Sequence, residues 1–155
     1  MTAYVNIGSN IGDRHAHIER AVTAISGIAD GAVRRSDPIE SEPWGYASEH
    51  PYINLGIAFE TSLPPAELHA ALQTIQRDID PAPHRQPDGT YADRRIDIDL
   101  IAVDDIVIDT PELTLPHPRM HKRQFVLLPM VQLAPGWHHP IYGVTPARLL
   151  ARLNN

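Results

Sequence analysis

The sequence contains no cysteine, which excludes a disulfide framework and any thiolate-held zinc, and gives no sign of an oxidising compartment. It also lacks an apolar run of the roughly 18 to 20 residues that cross a bilayer. The opening MTAYVNIGSN has no basic segment ahead of a long apolar one, so no secretory leader is read there. A cytoplasmic protein without membrane attachment is the expectation. Nor is there an excess of positive charge: 13 lysines and arginines stand against 19 aspartates and glutamates, for a formal charge of -6. That balance does not suit broad attachment to nucleic acid, which needs a basic surface to neutralise phosphates. An anionic ligand must be met locally, and the arginines to watch are Arg94 and Arg95, with Arg85, Arg119 and Arg123 nearby in sequence.

Repeats and low-complexity tracts are also missing, and the 15 prolines punctuate patterned runs without forming a linker. At 155 residues, 43% of them hydrophobic, the chain reads as one domain over 1–155 with a sizeable core. AYVNIG alternates as a first strand, and Asp13 is placed to cap a helix over His15 to Ile25. AVRRSDPIESE is a weaker strand and YINLGIAFET a strong one, separated by the loop PWGYASEHP. SLPPAELHAALQTIQRDI carries Ser62 and two prolines as a helix start, with Leu68, Leu72 and Ile75 at helical spacing. Asp80 to Asp93 is a proline-rich irregular loop of functional size. RIDIDLIAV is the next strand, and Gln124–Leu133 and Pro146–Leu153 read as C-terminal helices. The order β-α-β-β-α-β predicts an α+β, ferredoxin-like sandwich with an antiparallel sheet and extra helices at the C-terminal end.

The chemistry centres on YADRRIDIDL. In an extended strand alternate side chains share a face, so Asp97 and Asp99 lie together while Ile96, Ile98 and Leu100 turn to the core. Their Cα atoms are about 6 to 7 Å apart, within joint reach of one ion or a pair of ions. Hard oxygen ligands suit magnesium, which completes its shell with water and substrate phosphates. The plainer alternative is the solvated face of a half-exposed strand. Against it, two like charges on one face repel unless a cation joins them, and Arg94, three residues earlier, is placed to hold phosphates.

Four segments in order, YVNIGSNIGDR, SEPWGY with PYINLGIAFET, RRIDIDLI and LTLPHPRMHKRQFVLLPMVQLAP, resemble the 6-hydroxymethyl-7,8-dihydropterin pyrophosphokinase family along nearly the whole chain. That resemblance implies transfer of pyrophosphate from ATP to 6-hydroxymethyl-7,8-dihydropterin in folate synthesis. By position it implies that Asp97 and Asp99 hold two Mg2+ ions, Asp97 also bordering the pterin, and that Arg94 is catalytic, with Arg85, or His84 failing that, as a second phosphate clamp. Gln73, Gln76, Arg94, Ile98, His117 and Arg123 would meet ATP. Ser41, Glu42, Trp44, Tyr52, Asn54, Tyr91 and Phe125 would line the pterin pocket, Tyr91 standing where tryptophan is usual and Phe125 stacking on the ring. A monomer is expected.

Each aromatic, taken alone, is equally a packing residue, whereas Asn54 inside a strand is odder, since a buried amide needs partners that a flat amide-rich heterocycle supplies. The nine histidines show no zinc spacing. Two features depart from the family pattern: Ala92-Asp93 replaces the usual Gly-Pro before Arg94, adding a negative charge, and the loop before it is longer. Two rival readings follow from the same residues, another two-metal enzyme and a pterin-binding module without transfer. Asn54, His117 and Phe125 in their contexts weigh against the first, and the retained aspartates with Arg94 against the second.

Overall fold

The computed structural model of the chain describes residues 1–41, 50–81 and 93–154. Its first strand, β1 (Thr2–Ser9), is buried along nearly all its length and leads into α1 (Arg14–Ser26). Asp13 caps that helix as expected, its side chain accepting from the Ala16 N–H at 3.1 Å. The weak strand is two short pieces, β2 (Arg34–Arg35) and β3 (Ile39–Ser41). The gap between them holds Pro38, which has no N–H for a ladder. β4 (Tyr52–Glu60) follows, then α2 (Pro65–Ile79).

The start expected for α2 is corrected by two residues. Ser62 does not cap it; the flanking residue is Pro64, at φ -56° and ψ 149°, with no side-chain cap. A residue preceding proline is kept out of the helical region, so Pro64 stays extended and the helix begins at Pro65. β5 (Asp97–Val103) carries the aspartates. A small hairpin of β6 (Ile108–Asp109) and β7 (Thr114–Leu115) comes next. After a 3-10 turn at Met120–Lys122, α3 (Gln124–Leu133) and α4 (Pro146–Leu153) occupy the expected residues.

The main sheet is antiparallel in order β2-β4-β1-β5, with β3 also pairing β4. Alternation sends its side chains to two apolar layers. Val5 and Ile7 of β1, Leu55 and Ile57 of β4, and Ile98 and Leu100 of β5 meet Ile18, Val22, Leu68 and Leu72 of α1 and α2. Burying a leucine or isoleucine in this way contributes about 1.5 to 3 kcal/mol, so this layer anchors the sheet. On the opposite face Tyr4, Ala58, Ile101 and Ala102 pack against Val126, Leu127, Met130 and Leu149 of α3 and α4.

Gly56 lets α3 sit close, for a Cβ there would lie 2.4 Å from the Pro129 Cβ. The second layer covers only part of its face. Beyond Ala58 and Tyr4 toward the other end of the strands, Gly56 and Asn54, Asn6 and Gly8, and Asp99 and Asp97 follow in register. These positions form a polar floor.

Candidate active site

The floor is a row of cross-strand neighbours: Gly8 stands opposite Asn54 on one side and Asp97 on the other, and Asn6 opposite Gly56 and Asp99. Above it opens a cavity of about 270 Å³, walled by Ser41 and Tyr52, by Arg94, and by His117, Pro118, Arg119, Arg123 and Phe125. Three arginines against two aspartates make this lining locally positive in a chain of charge -6, the local meeting place for an anion that the composition requires.

Arg94 Nη1 lies 2.7 Å from Asp97 Oδ2. Burial works against the guanidinium charge, but Asp97, Tyr52 and Asp99 outweigh it and raise the Arg94 pKa. Asn10, itself 2% exposed, holds the Arg94 main chain at both ends. Its Oδ1 accepts from the Arg94 N–H at 2.7 Å, and its own N–H donates to the Arg94 carbonyl at 3.0 Å. Its Nδ2 also donates to Asp93 Oδ1 at 2.8 Å and to the His50 carbonyl at 3.1 Å. The extra charge at Asp93 is thus engaged by an amide, 4.0 Å from His50 Nε2, and does not line the cavity.

Burial first, and then the neighbouring Asp97 carboxylate, push Asp99 up to about 7, against the pull of Arg123 and Arg94. Arg123 Nη1 stands 4.0 Å from Asp99 Oδ2, and its guanidinium carbon lies 5.6 Å from the Phe125 ring centroid. His117 is pressed down to about 4 by burial and then by Arg123 and Arg119, so at neutral pH the imidazole is uncharged. Its Nδ1 accepts from the Arg119 N–H at 3.1 Å, which leaves the ring proton on Nε2 as a donor. The backbone N–H of His117 donates to the Ile101 carbonyl at 2.7 Å, tying this segment to the edge strand β5.

A second cavity, of about 210 Å³, shares Asp99, His117 and Pro118 with the first and extends along Ile98 and Leu100 to His69 and Gln73 of α2 and to residues 111–114. Two compartments thus meet at a carboxylate and a neutral imidazole, one lined by amides and aromatics, the other by an edge strand and a helix.

Most of the expected residues come together here. Ser41, Tyr52, Asn54, Arg94, Asp97, Asp99, His117, Arg123 and Phe125 line the first cavity; Gln73, Ile98, Asp99 and His117 line the second. Gln76 lines neither. It is 9% exposed, and its Oε1 accepts from the Ile98 N–H at 2.8 Å on the outer edge of the sheet. Glu42, Trp44, Arg85, Tyr91 and the fallback His84 lie outside the described residues. Asn6, Gly8, Pro118 and Arg119 complete the first lining without having been assigned a role from sequence. The period-two pattern of β1 does place Asn6 and Gly8 on one face, but only the pairing of β1 between β4 and β5 reveals which face that is.

A sheet floor bearing paired carboxylates, ringed by guanidiniums and joined to a second compartment, is the site of a group-transfer enzyme acting on an anionic substrate. Residues 4–135 match the model of the 7,8-dihydro-6-hydroxymethylpterin-pyrophosphokinase family, and the chain belongs to that family. It is 36% identical over 138 residues, 88% of this chain and 92% of the other, to the 2-amino-4-hydroxy-6-hydroxymethyldihydropteridine pyrophosphokinase of Porphyromonas gingivalis. It is 32% identical to the enzyme of that name from Aquifex aeolicus, over 91% of this chain and 85% of that one.

Among solved structures, an HPPK-DHPS triple mutant of Plasmodium falciparum matches with a TM-score of 0.72 at 13% identity, over 97% of this chain and 43% of that one. That likeness concerns the fold, mixed helix and antiparallel sheet. The chain is accordingly a pyrophosphokinase, a transferase of folate biosynthesis, and kinases of the family need Mg2+.

The donor set fits that ion. Among the described residues no group of three or more histidines, cysteines, aspartates or glutamates gathers. The protein side therefore offers a carboxylate pair and leaves other positions to water and substrate oxygens, as Mg2+ prefers. The upward push on Asp99 has the same meaning, since a cation would relieve it.

Proposed function

We propose that residues 1–155 act as one pyrophosphokinase domain in which the two cavities hold the two substrates, the pterin alcohol in the first and ATP in the second. The observation that carries this reading is their junction at Asp99 and His117. In the first cavity Phe125 and Tyr52 would take the flat ring, and Asn54 would read its amide edge, held by donation from Asn54 Nδ2 to Ser41 Oγ at 2.6 Å. In the second, Gln73 and the main chain of Ile98 would meet the nucleotide, with the Nε2–H of His117 donating to its phosphate side. Gln76 would act at one remove, by fixing the Ile98 N–H.

The reaction joins the pterin hydroxymethyl oxygen to the β-phosphorus and breaks that phosphorus's bond to the oxygen bridging the α-phosphate. AMP leaves and the hydroxyl proton passes to solvent. Such transfer asks the protein for alignment and charge neutralisation more than for covalent chemistry. Asp97 and Asp99 would hold two Mg2+ ions, which supply charge to the phosphate oxygens and polarise the attacking hydroxyl. Arg94, preset by Asn10, would clamp the moving phosphates from the Asp97 side and Arg123 from the Asp99 side. Arg85 would add a second catalytic guanidinium from the loop, with Glu42, Trp44 and Tyr91 completing the pterin pocket.

The ferredoxin-like reading is supported by the strand order, taking β2 and β3 as one interrupted strand, and by α1 and α2 packing on one face. A cytoplasmic monomer that binds neither nucleic acid nor membrane is consistent with the charge; no helix among the described residues is long and apolar enough to cross a bilayer. Incubation with Mg2+, ATP and the pterin alcohol should release AMP in step with pterin diphosphate. ADP in place of AMP, or no turnover, would overturn the reading.

A further inference from the structure

Asn6 has no part in the roles given so far. It is 5% exposed, lines the first cavity, and stands opposite Asp99 in the β1–β5 register. Its Nδ2 donates at 3.0 Å to the main-chain carbonyl of Phe125, 119 residues away. The helix itself explains why that carbonyl is available. In α3 the carbonyl of residue 125 would accept from the N–H of residue 129, and residue 129 is a proline inside the helix, with no N–H to give. Pro129 cannot readily move, because its ring packs where a Cβ on Gly56 would be, and Gly56 is the other cross-strand neighbour of Asn6.

The contacts close a circuit. Asn6 is joined to Asp99 through the sheet and to Phe125 through its amide, Phe125 lies under the Arg123 guanidinium, and Arg123 faces Asp99. We propose that Asn6 is a positioning residue of the transfer reaction, supplying the hydrogen bond that Pro129 cannot and so fixing the Phe125 ring relative to the Asp99 carboxylate. The device would set the height of the ring-stacking aromatic over the reacting end of the site. It rests on the pterin role proposed for Phe125.

A cycle of Asn6→Ala, Pro129→Ala and the double variant tests it, because alanine at 129 restores an N–H to the helix. Asn6→Ala alone should raise KM for the pterin alcohol about tenfold, the order expected for orphaning a half-buried carbonyl, and change KM for ATP less than about twofold. In the Pro129→Ala background the same substitution should leave the pterin KM nearly unchanged.

Equal effects of Asn6→Ala in both backgrounds would overturn the proposal. So would matched rises in both KM values, or a coupling seen in melting temperature alone, either of which marks a merely structural tie. If Asn6→Ala fails to fold, the double variant should regain folding, and its failure to do so also refutes the compensation by Pro129. Should the unmutated protein release no AMP, the functional reading fails on its own, while coupling in melting temperature between positions 6 and 129 still reports whether the hydrogen bond exists.

Discussion

A Cβ added to Gly8 would come within 3.1 Å of Asn54 Oδ1 and 3.2 Å of the Tyr52 ring. The glycine makes room for the two β4 side chains on which the proposed pterin compartment depends, so Gly8→Ala should push both aside. The expected result is pterin binding weakened about tenfold or more with ATP binding little altered, measured by calorimetry with each ligand, on the scale of a misplaced hydrogen-bonding group. Unchanged pterin affinity would show that the pair has slack.

Arg94 is half-buried beside Asp97 and its main chain is gripped by Asn10. Arg94→Ala should lower the single-turnover transfer rate about 10² to 10³-fold, the range for removing a preorganised charge-stabilising donor, with a much smaller change in ATP affinity. Asn10→Ala should reproduce part of the rate loss although Asn10 lines neither cavity. Transfer at the normal rate in Arg94→Ala would remove that residue from the chemistry.

The carboxylate pair predicts a pH dependence. Asp99 titrates near 7 in the folded protein against 3.8 ordinarily. Between about pH 4 and 7 the folded chain therefore keeps a proton that the unfolded chain has lost, and this group's contribution to stability falls as pH rises. Above 7 the Asp99 carboxylate is charged beside Asp97, and a divalent cation has most to relieve. The rise in melting temperature caused by Mg2+ should be larger at pH 8 than at pH 5.5. Asp99→Asn should melt higher than the unmutated protein at pH 8 without Mg2+, and lose most of the Mg2+ response. Equal Mg2+ shifts at both pH values would contradict the assignment.

The close approach of α3 to the sheet makes Gly56→Ala a severe change. The new Cβ would meet Pro129 at 2.4 Å, so either the helix withdraws or the strand bends. Destabilisation of about 1 to 3 kcal/mol, typical of overpacking, is expected in denaturant melts. A loss under about 0.5 kcal/mol would mean the interface accommodates the methyl group by a small shift.

What the sequence disclosed and what it hid divide along the line between local and non-local information. The alternation in RIDIDL put Asp97 and Asp99 on one face because a strand's period is two whatever surrounds it. The spans of α3 and α4 were legible as C-terminal helices, and the structure shows the Thr145 hydroxyl capping α4 by accepting from the Arg148 N–H at 3.3 Å. Asn6, Gly8 and Asn10 stayed hidden, since their importance comes from partners that only sheet pairing brings near. The hairpin of β6 and β7 has two-residue strands, too short for any periodicity to register. Gln76 is expected to meet ATP because the family resemblance implies it by position. The helix sets the Gln76 side chain against the outer edge of β5, where its Oε1 accepts from the Ile98 N–H, a contact that the helix period alone does not disclose.

Among the described residues, the layer formed by α3 and α4 ends at Phe125 and no helix covers the far half of that side of the sheet. A planar heterocycle bound under Phe125, as proposed, would serve as the missing roof tile, and the enzyme's fold would then be completed by the molecule it consumes. Substrate analogues should therefore slow backbone amide exchange along the floor strands β1, β4 and β5, and a screen for compounds that do so would be, in effect, a screen for inhibitors.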